Sequence, residues 1–188
     1  MTIVPFAQEP VWAQTANGTV PQDPTCTVQK DEIEVFAGFL KLNTLPQGRI
    51  VLVTTTEATF GNIDRFADIL HATKGYTIPS ELREDYKARN ESSCTIGAFT
   101  GIKNLRFISE AELAGQREIQ KRYGKNAVLI RFSRVGFNSD KSLAFLHVSV
   151  GVDHIAGSGT LYLLKRNGGA WMITLKVETT LSPGTAHP

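Results

Sequence analysis

Cysteine is scarce, with Cys26 and Cys94 the only two in 188 residues. That excludes a disulfide-dense miniprotein, and the spacing is not a zinc pattern, which needs CxxC-like pairs with further His or Cys. No apolar run approaches the roughly 18 residues needed to span a bilayer, so no membrane span is expected. An excess of one charge sign is lacking too. Twenty Lys and Arg against eighteen Asp and Glu leave a formal charge of +2, which makes no electrostatic case for nucleic acid or an anionic membrane. There is no G-x-S-x-G elbow, no phosphate loop ending in Gly-Lys-Ser/Thr and no internal repeat. What remains, 41% hydrophobic and 20% charged, is the composition of a folded domain.

Cys26 and Cys94 are candidates for one disulfide closing a loop of about 69 residues; two unpaired thiols in a reducing compartment are the alternative. The stretch Met1 to Ala7 has no basic charge, and Gln8, Glu9 and Pro10 interrupt any apolar segment, so as written it is not a signal peptide. Val11-Trp12-Ala13 nevertheless carries the small-residue pattern of a cleavage site, which leans the localisation toward the periplasm or secretion.

Half of the eight prolines fall in the first 24 residues. Proline withholds an amide donor and restricts its neighbour, so residues 1–26 read as an extended arm or the remnant of an exported protein, pinned by Trp12. A single α+β domain is expected over 27–181 and a flexible tail over 182–188. Asp31-Glu-Ile-Glu34 resembles a capping box and opens a helix over 31–43, apolar on a broad face through Ile33, Phe36, Ala37 and Leu40. Arg49 to Thr56 reads as a strand. Helices are expected from Asn62, from Ser80, and from 110 to 123 behind the Ser109-x-x-Glu112 box. Ser92 to Ile102 has no clear period and reads as irregular.

The last third alternates. Strands are expected over 128–133, 143–150, 160–165 and 171–178, with Asn167-Gly168-Gly169 a hairpin signal. Short connections make them an antiparallel four-stranded meander. Such a sheet needs its apolar face covered, and the helix at 31–43 has the face to cover it. The result is an α+β fold of cystatin-like or NTF2-like type; with no visible βαβ alternation, a doubly wound sheet is not expected.

Ser133-Arg-Val-Gly-Phe-Asn138, Gly157-Ser-Gly159, Tyr162-Leu-Leu164 and Gly169-Ala-Trp171 form a spaced set over roughly 127–178. This block resembles the carboxy-terminal part of bacterial proteins of unassigned function, many of them exported. The resemblance implies a fold and an exported setting, and it implies no reaction.

Candidate chemistry is thin. His147, His154 and Asp153 are the one tempting cluster, but a zinc site needs three or four converging ligands; a cross-strand His147 and a solvated turn are the plainer reading. No metal and no cofactor is expected. Gly157-Ser-Gly-Thr160 feeds a strand rather than a helix, so its glycines serve conformation rather than phosphate. Asp64 and Asp68 share a helical face as solvated charge. Phe132, Phe137, Phe145, Tyr162 and Trp171 read as core, since a stacking surface for single strands needs a basic groove. Arg131 and Arg134, one on each face of the sheet, are either the polar elements of a pocket or structural anchors.

The leading expectation is a non-catalytic binding or interaction domain of the cell envelope or periplasm, with a protein partner or a small ligand. The alternative is a small-molecule carrier or enzyme with a pocket between helix and sheet, lined by Arg131, His147 and Tyr162, with Arg134 nearby. A third places a partner on an exposed sheet edge.

Overall fold

The computed structural model describes residues 22–42, 48–57, 62–114, 119–153 and 156–181. Trp12 and the tail over 182–188 lie outside them, as does His154. Of the expected arm only its end is described, as strand β1 (Gln22–Thr27).

Helix α1 (Lys30–Leu42) follows. It begins one residue earlier than the capping-box reading, and a different carboxylate holds its start. Glu32 turns back to accept the Gln29 amide at 2.9 Å, while Asp31 accepts from its neighbour Glu32. Glu32 therefore fills the third helical position, where a carboxylate satisfies an amide that the first turn leaves open.

Strand β2 (Ile50–Val53), helices α2 (Asn62–Lys74) and α3 (Ser80–Arg89), and strands β3 (Ser93–Thr95) and β4 (Leu105–Ile108) come next. Helices α4 (Glu110–Ala114) and α5 (Ile119–Tyr123) lie within the single helix expected over 110–123. The Ser109 cap stands as read, its hydroxyl accepting the Glu112 amide at 3.1 Å. Strands β5 (Val128–Phe132), β6 (Gly136–Phe137), β7 (Leu143–Asp153), β8 (Ala156–Asn167) and β9 (Ala170–Leu181) complete the described chain.

The meander is present: β5, β7, β8 and β9 are successive antiparallel neighbours. Gly168 and Gly169 turn β8 into β9, both with positive φ (56° and 87°), the backbone a two-residue hairpin of this kind requires. The fold is α+β, but the sheet extends further than the meander. Its order is β4-β2-β5-β7-β8-β9, with β6 on β7, and β2 pairs in parallel with both β4 and β5. These two parallel pairings correct the expectation of an antiparallel sheet; the other strand pairings of the sheet are antiparallel. All four residues of β2 are buried, as a strand covered on both faces must be. The stretch read as irregular contains β3, which pairs in parallel with β1.

Helices cover both faces. On one, Val35, Phe36, Phe39 and Leu40 of α1 meet Ile130, Phe132, Leu146, Val148, Leu164 and Trp171. Phe36 stacks on Phe132 at 4.5 Å, and Phe39 meets Phe132 and Tyr162 edge-on. On the other face lie two separate clusters. One joins α2 and α3 to Phe145, Leu161 and Leu163; the other joins α4 and α5 to Val51, Val53 and Ile108.

Candidate functional site

A seam of polar side chains lies between those two clusters. It is built at the carboxyl ends of β2, β4 and β5, the edge of parallel strands where crevices form in α/β sheets. Past the end of β2, Glu57 donates its amide to the Phe132 carbonyl at 2.8 Å and bridges to Ser133. Past the end of β4, the first residue of α4 is Glu110. Arg131 of β5 faces Ser149 of β7 across the ladder.

The side chains converge. Arg131 grips Glu110 through both terminal nitrogens, at 2.5 and 2.9 Å, and its Nε lies 3.7 Å from Glu57. The Ser149 hydroxyl donates to Glu57 Oε2 at 2.7 Å, and His147 Nδ1 is 3.8 Å from the same oxygen. Burial pushes the Glu57 carboxyl above its ordinary range, against the Ser149 hydrogen bond and the Arg131 charge, and Glu110 adds to the rise. Burial lowers His147 to about 4. Its imidazole is therefore neutral at pH 7, so its approach to Glu57 is a polar contact rather than an ion pair. Glu57 and Arg131 each keep about a quarter of their side-chain surface exposed. The arrangement can exchange a proton with, or hydrogen-bond, a small polar group.

Arg134 sits elsewhere and serves the fold. Its Nε and Nη2 donate to the two oxygens of Glu32 at 3.0 and 2.7 Å, and its Nη1 lies 3.1 Å from Cys94 Sγ and 3.6 Å from Cys26 Sγ. Those cysteines are joined as a disulfide. Glu32 also accepts the Val135 amide, and Asn90 binds the Arg134 backbone at both its amide and its carbonyl. Both Glu32 oxygens accept hydrogen bonds from Arg134, and Arg89 Nη1 lies 3.6 Å from one of them, so the buried carboxylate is paired, as burying a charge requires.

The four residues expected around one pocket are thus not brought together. Arg131 and His147 share the seam, Tyr162 packs under α1 on the opposite face, and Arg134 clasps Glu32 beside the disulfide. The interval between α1 and the sheet, where the pocket was expected, is filled by Phe36, Phe39, Phe132 and Tyr162. An open cleft of about 470 Å³ lies instead at the periphery, lined by Tyr76, Ser142, Leu143, Lys165, Thr174 and Leu175. It forms where β9 takes an extra residue: Leu163 faces Leu175 while Leu164 faces Ile173, and the intervening Thr174 donates its hydroxyl to the Leu163 carbonyl. Bulges of this kind redirect side chains and often border sites.

Asp64 is paired with Arg83 and Lys87 at the surface, and Asp68 is exposed. Among the described residues no group of three or more His, Cys, Asp or Glu could hold a metal ion, and no helix is long and apolar enough to cross a membrane.

Glu57, Glu110, Ser149 and Glu32 were not singled out from the sequence. Glu32 carried a signal: it shares the apolar face of α1 with Val35, Phe36 and Phe39, where a lone charge needs a partner. Glu57 gained significance only once β2 was known to run parallel to its neighbours. The chain matches no protein-family model, no curated protein and no solved structure.

Proposed function

We propose that this chain is a non-catalytic binding domain of the bacterial cell envelope or periplasm, holding a partner at its surface rather than a ligand inside its core. The observation that carries the reading is the filled interval beneath α1 set against the open cleft at the β9 bulge. Surface recesses of mixed apolar and polar lining suit a partner's side chain. The Cys26–Cys94 disulfide supports an oxidising compartment. The R-V-G-F-N block supports the bacterial, exported setting, and α1 lying across a meander is what supports the cystatin-like or NTF2-like comparison.

The test is selection of peptides from a random display library against the oxidised protein, followed by amide shift mapping. Selected peptides should perturb Leu143, Lys165, Thr174 and Leu175. If no peptide binds, or if the shifts fall elsewhere, the reading fails. A second reading, a small-molecule carrier or enzyme, is favoured by one observation: the buried Glu57 carboxyl beside His147, Arg131 and Ser149. A small-fragment screen whose shifts gather on Arg131, His147 and Ser149 would favour it over the first.

A further inference from the structure

We propose that β9 pairs antiparallel with β9 of a second copy of this chain, about a two-fold axis at Val177, joining the two sheets into one. Among the described residues the sheet ends on one side at β4, four residues long, and on the other at β9, twelve residues long. Among the described residues no strand pairs with the outer edge of β9. An edge of that length presents a row of amides and carbonyls to any matching strand. Natural sheets blunt such edges with shortness, proline, bulges or charge; on β9 the exposed Lys176 is offset by Glu178, while the register shifts flank Leu175–Glu178. The β9 sequence AWMITLKVETTL has no proline.

The charges on β9 select both the occupant and the register. Its charged residues are Lys176 and Glu178, both exposed and of opposite sign. They face Tyr162 and Thr160 across the ladder, so both stand on the α1 side of the sheet. In an antiparallel pair, directly opposed residues have the same sense of backbone hydrogen bonding, so a two-fold axis can pass only through a residue position. An axis at Lys176 sets lysine against lysine, and one at Glu178 sets glutamate against glutamate. An axis at Val177 sets Lys176 of each copy against Glu178 of the other, twice. Opposite charges directly across a ladder stabilise it and like charges oppose it. The stretch Leu175–Glu178 also pairs regularly with β8, between the register shifts on either side, so its outer backbone groups keep the alternating narrow and wide spacing that a new antiparallel strand requires. Symmetric pairing of one surface with itself is the commonest route to a dimer.

The cleft residues Leu143 and Leu175 lie on the other face of the sheet, so charge changes on the α1 side test the dimer apart from peptide binding. The experiment is sedimentation equilibrium of the full, oxidised chain, with hydrogen exchange at low and high protein concentration. Wild type should dimerise, with concentration-dependent protection confined to β9 amides. Lys176→Glu and Glu178→Lys should each weaken dimerisation about tenfold or more, because each sets like charges opposite one another twice. The double variant should recover wild-type affinity to within about threefold, since it restores both opposed pairs. Circular dichroism of each variant reports that these exposed substitutions leave the fold intact. A monomeric wild type, single variants that dimerise as wild type does, protection away from β9, or a double variant without recovery would each overturn the proposal.

Discussion

Arg134 and Glu32 are 102 residues apart in sequence and meet through two hydrogen bonds in the interior, with Glu32 wholly buried. The pair ties the first turn of α1 to the turn after β5, and the guanidinium also lies against the disulfide that joins β1 to β3. Three distant stretches of the chain, β1 with α1, β3, and the turn after β5, therefore share one polar knot.

Removing one partner of that knot should cost more than removing both. Arg134→Ala removes both hydrogen bonds of the guanidinium to a buried carboxylate and leaves it only Arg89, 3.6 Å away, a change worth about 3 kcal/mol. Arg134→Lys should also destabilise, because an ammonium cannot reproduce the two-pronged geometry. The double variant Glu32→Leu, Arg134→Met should lose less than the sum of its parts. Urea unfolding decides the matter, and additive losses would show that the two residues are not coupled.

Reducing the disulfide, or replacing Cys26 and Cys94 by Ser, frees a loop with a sequence separation of 68 residues. The loop-entropy relation places the loss at roughly 4 kcal/mol. The denaturation midpoint should fall accordingly, and thiol titration of the native, unreduced protein should find no reactive thiol. Two titratable thiols in that sample would contradict the bridge.

Acid stability should report on the seam. His147, held near 4, ionises more readily in the unfolded chain, at about 6.5. Its contribution is therefore fully present above pH 6.5 and is lost as pH falls toward 4, by roughly 3 kcal/mol at most. Glu57 runs the other way. Its carboxyl is raised, so its contribution is present below its ordinary value of 4.5 and is lost as pH rises through the folded value. Urea unfolding between pH 4 and 8 should give a shallower acid decline for His147→Gln than for wild type. For Glu57→Gln the decline should be steeper, with stability at pH 7 increased. Parallel curves for all three proteins would remove the titration argument.

Gly136 lies where β6 meets α3 most closely. A methyl group there would stand 2.5 Å from the Tyr86 Cβ and 2.7 Å from its Cα. Gly136→Ala should destabilise by about 1–3 kcal/mol or more, because the obstacle is helix backbone rather than a movable side-chain end. At Gly97, where the added group meets nothing within 4 Å, the same change serves as the control. Equal thermal midpoints for the two variants would show that the helix yields.

The meander was legible because its signals are local. Trp171 and Ile173 alternate with Met172 and Thr174, and Asn167-Gly168-Gly169 carries the turn chemistry of a tight hairpin. Even there the pattern hid a shift: the extra residue at Thr174 moves Leu175 and Val177 to the face opposite Trp171 and Ile173. A strict period of two, read over the whole strand, places them together. β4 was missed because four residues, Leu105 to Ile108, are too few to display a period. The unbroken apolar run of β2 did contain the evidence for coverage on both faces, but such a run does not name its neighbours.

By itself, then, the amino-acid order determined the elements whose causes lie within a few residues: α1 and its apolar face, the Ser109 cap, the hairpin at Gly168 and the succession of antiparallel strands. Only the tertiary structure decided that β2 lies between β4 and β5, that Arg134 meets Glu32, and that Glu57, Arg131, His147 and Ser149 share one seam. Those juxtapositions depend on which faces the parallel crossovers leave uncovered and on which buried charges find partners. Both are settled by three-dimensional packing among residues many positions apart, for which no local spacing carries a signal.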